Sequence, residues 1–172
     1  MLSSALLKEI TEKQGYLSAV FDSSLFQQRI QVNAIEPDIP LLYAERCATA
    51  FESLSPAVLQ QLYRYSHDYC IDFCEYVGET PPAIEQPEQI LQYISPMSME
   101  IPTLPEAHTA ETAEPVLHLE LNCEWEPEHG LEWLIRGNDI LYVGSCEMLQ
   151  EWKDKNYYRE YGGNYAFGNK LD

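Results

Sequence analysis

Basic residues are what this sequence has least of. Between Arg64 and Arg136 there is no lysine or arginine, yet the same 71 residues carry fifteen aspartates and glutamates. Over all 172 residues, ten Lys and Arg stand against 28 Asp and Glu, a net charge of −18. A field of that sign repels phosphate backbones and anionic lipid surfaces, and it speeds encounters with basic proteins. The composition thus argues against nucleic acid and membranes as partners. Long apolar runs are missing too: nothing approaches the roughly 18 residues that a membrane-spanning helix needs. The N-terminal "MLSSALLKEITEKQGY" has neither a basic leader nor a long apolar stretch, so it does not read as a secretory signal. Five cysteines at irregular spacing make no disulfide framework and fit reduced thiols, so the expected compartment is the cytoplasm.

What is present is enough to fold. Hydrophobic residues at 45% offset the entropy of chain ordering, and the length suits one domain with its own core. Four segments are expected within 1–172: strands and helices over 1–94, a connecting loop over 95–115, a β-meander over 116–144, and a helix with an aromatic tail over 145–172. Leu2, Leu6, Leu7 and Ile10 recur at helical spacing, which predicts a short helix over 1–14, stopped by Gly15. Two β-rich runs, 16–21 and 28–35, flank a "DSS" turn signal; in the second, Ile30, Val32 and Ala34 alternate with polar residues. A helix follows over 41–54. A second starts at Ser55–Pro56, a hydroxyl cap before proline at the first helical position, carries Leu59, Leu62, Tyr69, Phe73 and Val77 on its buried stripe, and ends at Gly78. A third, shorter helix is expected over 84–94. The proline-rich "SPMSMEIPTLPEAHTAETAEP" predicts the loop.

The alternation in "VLHLELNCEW" is strict. Leu117, Leu119, Leu121, Cys123 and Trp125 share one face, and His118, Glu120, Asn122 and Glu124 the other, as in a strand with one face on the core and one in water. Residues 127–130 make the turn, 131–136 return, and 140–143 complete a meander. "EMLQEWKDK" after it looks helical. The expected class is α+β, an antiparallel sheet of N-terminal strands plus the C-terminal meander, packed against a few helices.

"LNCEWEPEHGLEW" gathers the groups with most chemical potential. His118, Cys123 and His129 with Glu126 or Glu128 are a conceivable zinc set, but their spacing matches no zinc motif, and Cys123 and His118 face opposite ways. Glu126, Glu128 and His129 offer acid–base groups, but no nucleophile or phosphate-binding glycine loop accompanies them. A tight turn accounts for the same residues, with Pro127 fixing φ, Gly130 taking positive φ, and Glu128 and His129 at its solvated tip. Cys70 and Cys74, four apart on one helix and one turn beyond His67, offer a conceivable metal or redox set with that histidine, but they read as small core residues beside Tyr69 and Phe73. The tyrosines after Asn156 are either packing or a contact surface. No cofactor and no metal are expected.

The run "CEWEPEHGL", with the alternating strand before it and "ILYVG" after it, resembles the C-terminal signature of a bacterial family of unknown function, whose members are small acidic α+β proteins often encoded beside toxin and immunity genes. "FDSSLFQQRIQVNAIEPD" and the helix pair after it resemble that family's N-terminal half. The resemblance implies an immunity or interaction protein rather than an enzyme, with a cognate, basic toxin as partner, a nuclease for instance. His118, Glu120, Glu124, Glu126 and Glu128 are then the expected partner-binding surface. Two alternatives remain open: a small enzyme or metal-dependent protein built on the Glu126–His129 turn, and an adaptor or chaperone for a basic secreted effector. The oligomeric state is left open.

Overall fold

The computed structural model describes residues 4–171. Seven strands form one sheet in sequence order: β1 Lys8–Lys13, β2 Tyr16–Ser23, β3 Gln28–Ala34, β4 Ile94–Ile101, β5 Val116–Cys123, β6 Leu131–Arg136 and β7 Asp139–Gly144. Neighbours pair antiparallel except β3 and β4, which run parallel. Helices α1 (Leu41–Glu52) and α2 (Pro56–Val77), then a 3-10 helix over Pro87–Tyr93, make the crossover that a parallel joint requires. The protein is therefore α+β, as the alternating and helical patterns predict.

The sheet's first face carries the main core. Phe21, Ile30, Val32, Met99, Leu117, Leu119 and Trp133 are buried there against Tyr43, Ala44, Ala48 and Phe51 of α1 and Leu62, Tyr69 and Cys70 of α2. Helix α2 starts and stops as its sequence dictates. The Ser55 hydroxyl accepts from the Val58 N–H at 3.3 Å, and beyond the left-handed Gly78 the Glu79 N–H donates to the Cys74 carbonyl at 2.8 Å. Val77 departs from the expected stripe and is 46% exposed.

Four expectations are corrected. Part of the predicted N-terminal helix, residues 1–3, lies outside the described residues. The rest contains edge strand β1, joined to β2 by a turn in which Gln14 and Gly15 both take positive φ (54° and 83°). That two-residue geometry suits a twisted hairpin, so the turn prevails over the leucine spacing. The predicted third helix is the short 3-10 helix over Pro87–Tyr93. The predicted loop contains β4, a central strand with Met99 and Ile101 in the main core. Pro96 fits because the β4–β5 register shifts between Pro96 and Ser98, and β3 pairs with β4 only from Ser98 onward, so the missing N–H interrupts no ladder.

The fourth correction concerns the sheet's second face. Residues 145–154 are an irregular strap, not a helix; α3 begins later, at Lys155–Glu160, where the Asp154 carboxylate accepts from the Asn156 and Tyr157 N–H groups. The strap crosses β5–β7 and closes a smaller core in which Leu149 and Tyr158 pack on Val116, Leu134 and Tyr142.

Candidate functional site

Period two puts His118 and Glu132 on this second face, and the strap encloses both. His118 is 1% exposed, with Nε2 at 2.8 Å from Glu132 and Nδ1 at 2.8 Å from Glu151 of the strap. Burial by itself pushes the imidazole down, but hydrogen bonds to both carboxylates and their charges together hold it up at about 9. His118 is therefore a buried cation between two glutamates. Glu132 also accepts from three successive strap N–H groups, of Glu147, Met148 and Leu149, at 2.7, 2.8 and 3.1 Å. Met148 takes φ 51°, which turns those amides toward one point. Arg136 adds hydrogen bonds to the Glu151 and Lys153 carbonyls. The cluster clasps the C-terminal segment to the sheet.

The β5–β6 turn is also organised from within. Glu126 is buried, and its carboxylate accepts from the Glu128 and His129 N–H groups and lies 2.9 Å from His129 Nδ1. Gly130 closes the turn at φ 76°, where an added Cβ would sit 2.5 Å from the Leu121 carbonyl oxygen. Glu126, Glu128 and His129 have ligand atoms within 4.8 Å of one another, so they are the residues that hold a metal if one binds. Both Glu126 oxygens already serve the turn's own donors, which is what a structural turn requires.

The expected partner surface accordingly divides. Glu124 and Glu128 are exposed, and Glu120 is half-buried, its carboxyl raised by burial and by the Glu100 charge. His118 and Glu126 are corrected: both are inside the protein and engaged, so neither is presented to a partner. Cys70, Cys74 and Cys123 are buried thiols, and burial raises Cys70 and Cys123 to about 12. The tail tyrosines are largely packing: Tyr158 is fully buried, and Tyr165 lies 5.3 Å from the Tyr69 ring and donates to Asp72.

A different constellation emerges where α2 ends beside the β5–β6 turn. Trp125 packs edge-on against Tyr69 of α2, with centroids 5.8 Å apart. This contact brings the end of α2 next to the turn and leaves a groove of about 230 Å³ walled by Cys74, Glu79, Pro82, Tyr93, Glu124 and Trp125. The last turn of α2 also presents Glu75, with Tyr76 70% and Val77 46% exposed. No basic residue follows in that turn to offset the negative end of the helix dipole. Sequence periodicity misses this assembly because Glu79 lies past a helix cap and Glu124 past a strand, positions whose proximity depends on tertiary packing. The 65–135 gap in basic residues is the one sequence signal that covers them all.

A family model described as "Domain of unknown function (DUF6985)" matches residues 6–149. The match spans the sheet and the start of the strap and stops before Glu151 and α3. No curated protein and no solved structure matches the chain.

Proposed function

We propose, from the premise that the chain belongs to the DUF6985 family, that it is a non-enzymatic binding protein that captures a basic protein partner at its acidic end and so neutralises a cognate bacterial toxin. The observation that carries this reading is the end of α2 and the segment after β5, where Glu79 and Glu124 wall one groove, the last turn of α2 presents Glu75, Tyr76 and Val77 to solvent, and Glu128 is exposed on the β5–β6 turn. Carboxylates beside an aromatic anchor are the ingredients of fast capture and slow release: long-range attraction raises the encounter rate, and the buried anchor limits dissociation. The step from basic partner to toxin rests on the "CEWEPEHGL" resemblance.

The test is co-expression with a toxin encoded beside the gene, followed by copurification and a survival assay. A stable one-to-one complex and survival of the toxin are expected. Glu124→Lys with Glu128→Lys should slow association by about tenfold or more at low salt, with the difference shrinking as salt screens the charges. Protection without a complex, or association indifferent to both charge and salt, overturns the proposal.

A further inference from the structure

We infer that the groove between the end of α2 and the β5–β6 turn receives one arginine side chain of the partner, its guanidinium paired with Glu79 and Glu124 and flanked by Tyr93 and Trp125. The inference deepens the capture proposed above and rests on it for the partner's basic character.

Four observations converge on this occupant. The groove's volume, about 230 Å³, lies below the ~300–1,000 Å³ typical of small-molecule sites and suits a single side chain. Every wall residue, from Cys74 to Trp125, falls inside the stretch that has no lysine or arginine. Among the described residues, neither Glu79 nor Glu124 takes part in an ion pair. Two unpaired carboxylates beside two aromatic rings suit guanidinium better than ammonium, because the planar group stacks on rings, bonds to two acceptors at once and is more weakly hydrated.

The fourth observation is independent of charge. Trp125 is 6% exposed, and its Nε1 is the one buried side-chain nitrogen or oxygen without a hydrogen-bond partner among the described residues. The other two indoles are satisfied: Trp133 donates to the Ser66 hydroxyl at 2.9 Å and Trp152 to the Thr103 carbonyl at 2.8 Å. A buried donor without an acceptor is costly. Trp125 lines the groove, so a partner segment that inserts an arginine brings main-chain carbonyls to that ring, and a small rotation of the indole on binding lets one of them accept from its N–H.

The test uses the full-length ¹⁵N-labelled protein and N-acetyl-arginine amide as the probe. The chain has three tryptophans, so three indole N–H resonances report on the site, with Trp125 assigned through Trp125→Phe or by through-bond spectra. A saturable shift of the Trp125 indole is expected, with Trp133 and Trp152 unmoved. N-acetyl-lysine amide should bind more weakly and N-acetyl-norleucine amide not at all. Glu79→Gln with Glu124→Gln should lower the affinity for the arginine probe about tenfold or more, while unchanged Trp133 and Trp152 signals report an intact fold. No shift at millimolar probe, an equal response to the norleucine compound, or indifference to the double substitution overturns the inference. The two proposals fail separately: arginine binding without any toxin capture removes the toxin reading and keeps the groove, whereas toxin capture untouched by the double substitution removes the groove and keeps the capture.

Discussion

Replacing Glu132 with glutamine keeps the side chain's size and removes its charge at the point where the strap is held. Four donors converge on this fully buried carboxylate: His118 and the Leu149 N–H on Oε1, and the Glu147 and Met148 N–H groups on Oε2. Glutamine has one carbonyl oxygen. Turned toward Glu147 and Met148, it points its NH₂ at His118 and Leu149; turned the other way, it confronts the first pair. Two of the four contacts become donor against donor in either orientation, and the His118 cation keeps only Glu151. Hydrogen bonds to charged groups contribute ~1.5–3 kcal/mol each, and removing one partner of a buried ion pair costs ~3–5 kcal/mol. These figures describe overlapping effects, so the expected loss is about 3–5 kcal/mol, a large part of a typical ~5–15 kcal/mol.

Urea unfolding at pH 7, followed by tryptophan fluorescence, measures that loss, and pH gives it a signature. His118 is raised from 6.5 to about 9 in the folded state, so its contribution is fully present below pH 6.5 and disappears as pH climbs through 9. A shift of that size corresponds to roughly 3 kcal/mol. The native protein should therefore lose stability between pH 6.5 and 9, and the Glu132→Gln variant should show a flatter profile over the same range. A loss below ~1 kcal/mol at pH 7, or parallel pH profiles for the two proteins, refutes the clasp.

Gly130→Ala should destabilise by at least ~2 kcal/mol, read as a lower melting temperature, because positive φ and the 2.5 Å approach to the Leu121 oxygen both penalise a Cβ; an unchanged melting temperature contradicts that geometry. Cys47, Cys70, Cys74 and Cys123 are buried, and burial raises Cys47 to about 11 and Cys70 and Cys123 to about 12, so a thiol reagent at pH 8 should titrate these four only after denaturation, whereas Cys146 is partly exposed. Elemental analysis should return no stoichiometric zinc or iron, because the Glu126 oxygens already hold the turn; one metal per chain, lost on His129→Ala, reverses the structural account of that turn.

The most legible elements in the sequence are those whose determinants are local. The start of α2 follows from Ser55–Pro56 and its end from Gly78, and the inward face of β5 follows from alternation alone. Alternation names a strand's two faces without saying what covers the second one. His118 reads as outward by period two, and it does lie on the sheet's second face, but under a strap from residues 145–154 that no local pattern announces. β4 is hidden for a related reason. Its proline looks like a loop residue until the sheet shows that Pro96 occupies the stretch that β3 does not reach. The groove by Trp125 depends on the ends of two elements some fifty residues apart, from Cys74 to Trp125, being packed together, which no window along the chain contains.

The parallel joint between β3 and β4 bears on how the chain assembles itself. Residues 35–93 separate the two strands, whereas every other ladder joins strands that follow one another through shorter connections. The sheet is thus two locally closing pieces, three strands and four, zipped along one seam of high sequence separation. The entropy of closing that long loop must be met before the seam returns any hydrogen bonds, so the seam sets the folding rate while the hairpins form quickly on either side. During synthesis the first three strands wait for the ribosome to deliver β4, with β3 as an open edge offering Ile30 and Val32 to any neighbouring chain. Charge does little for that edge itself, because Lys8, Lys13 and Arg29 balance Glu9, Glu12 and Asp22 over the first three strands; repulsion between chains begins with the acidic residues that follow Ala34.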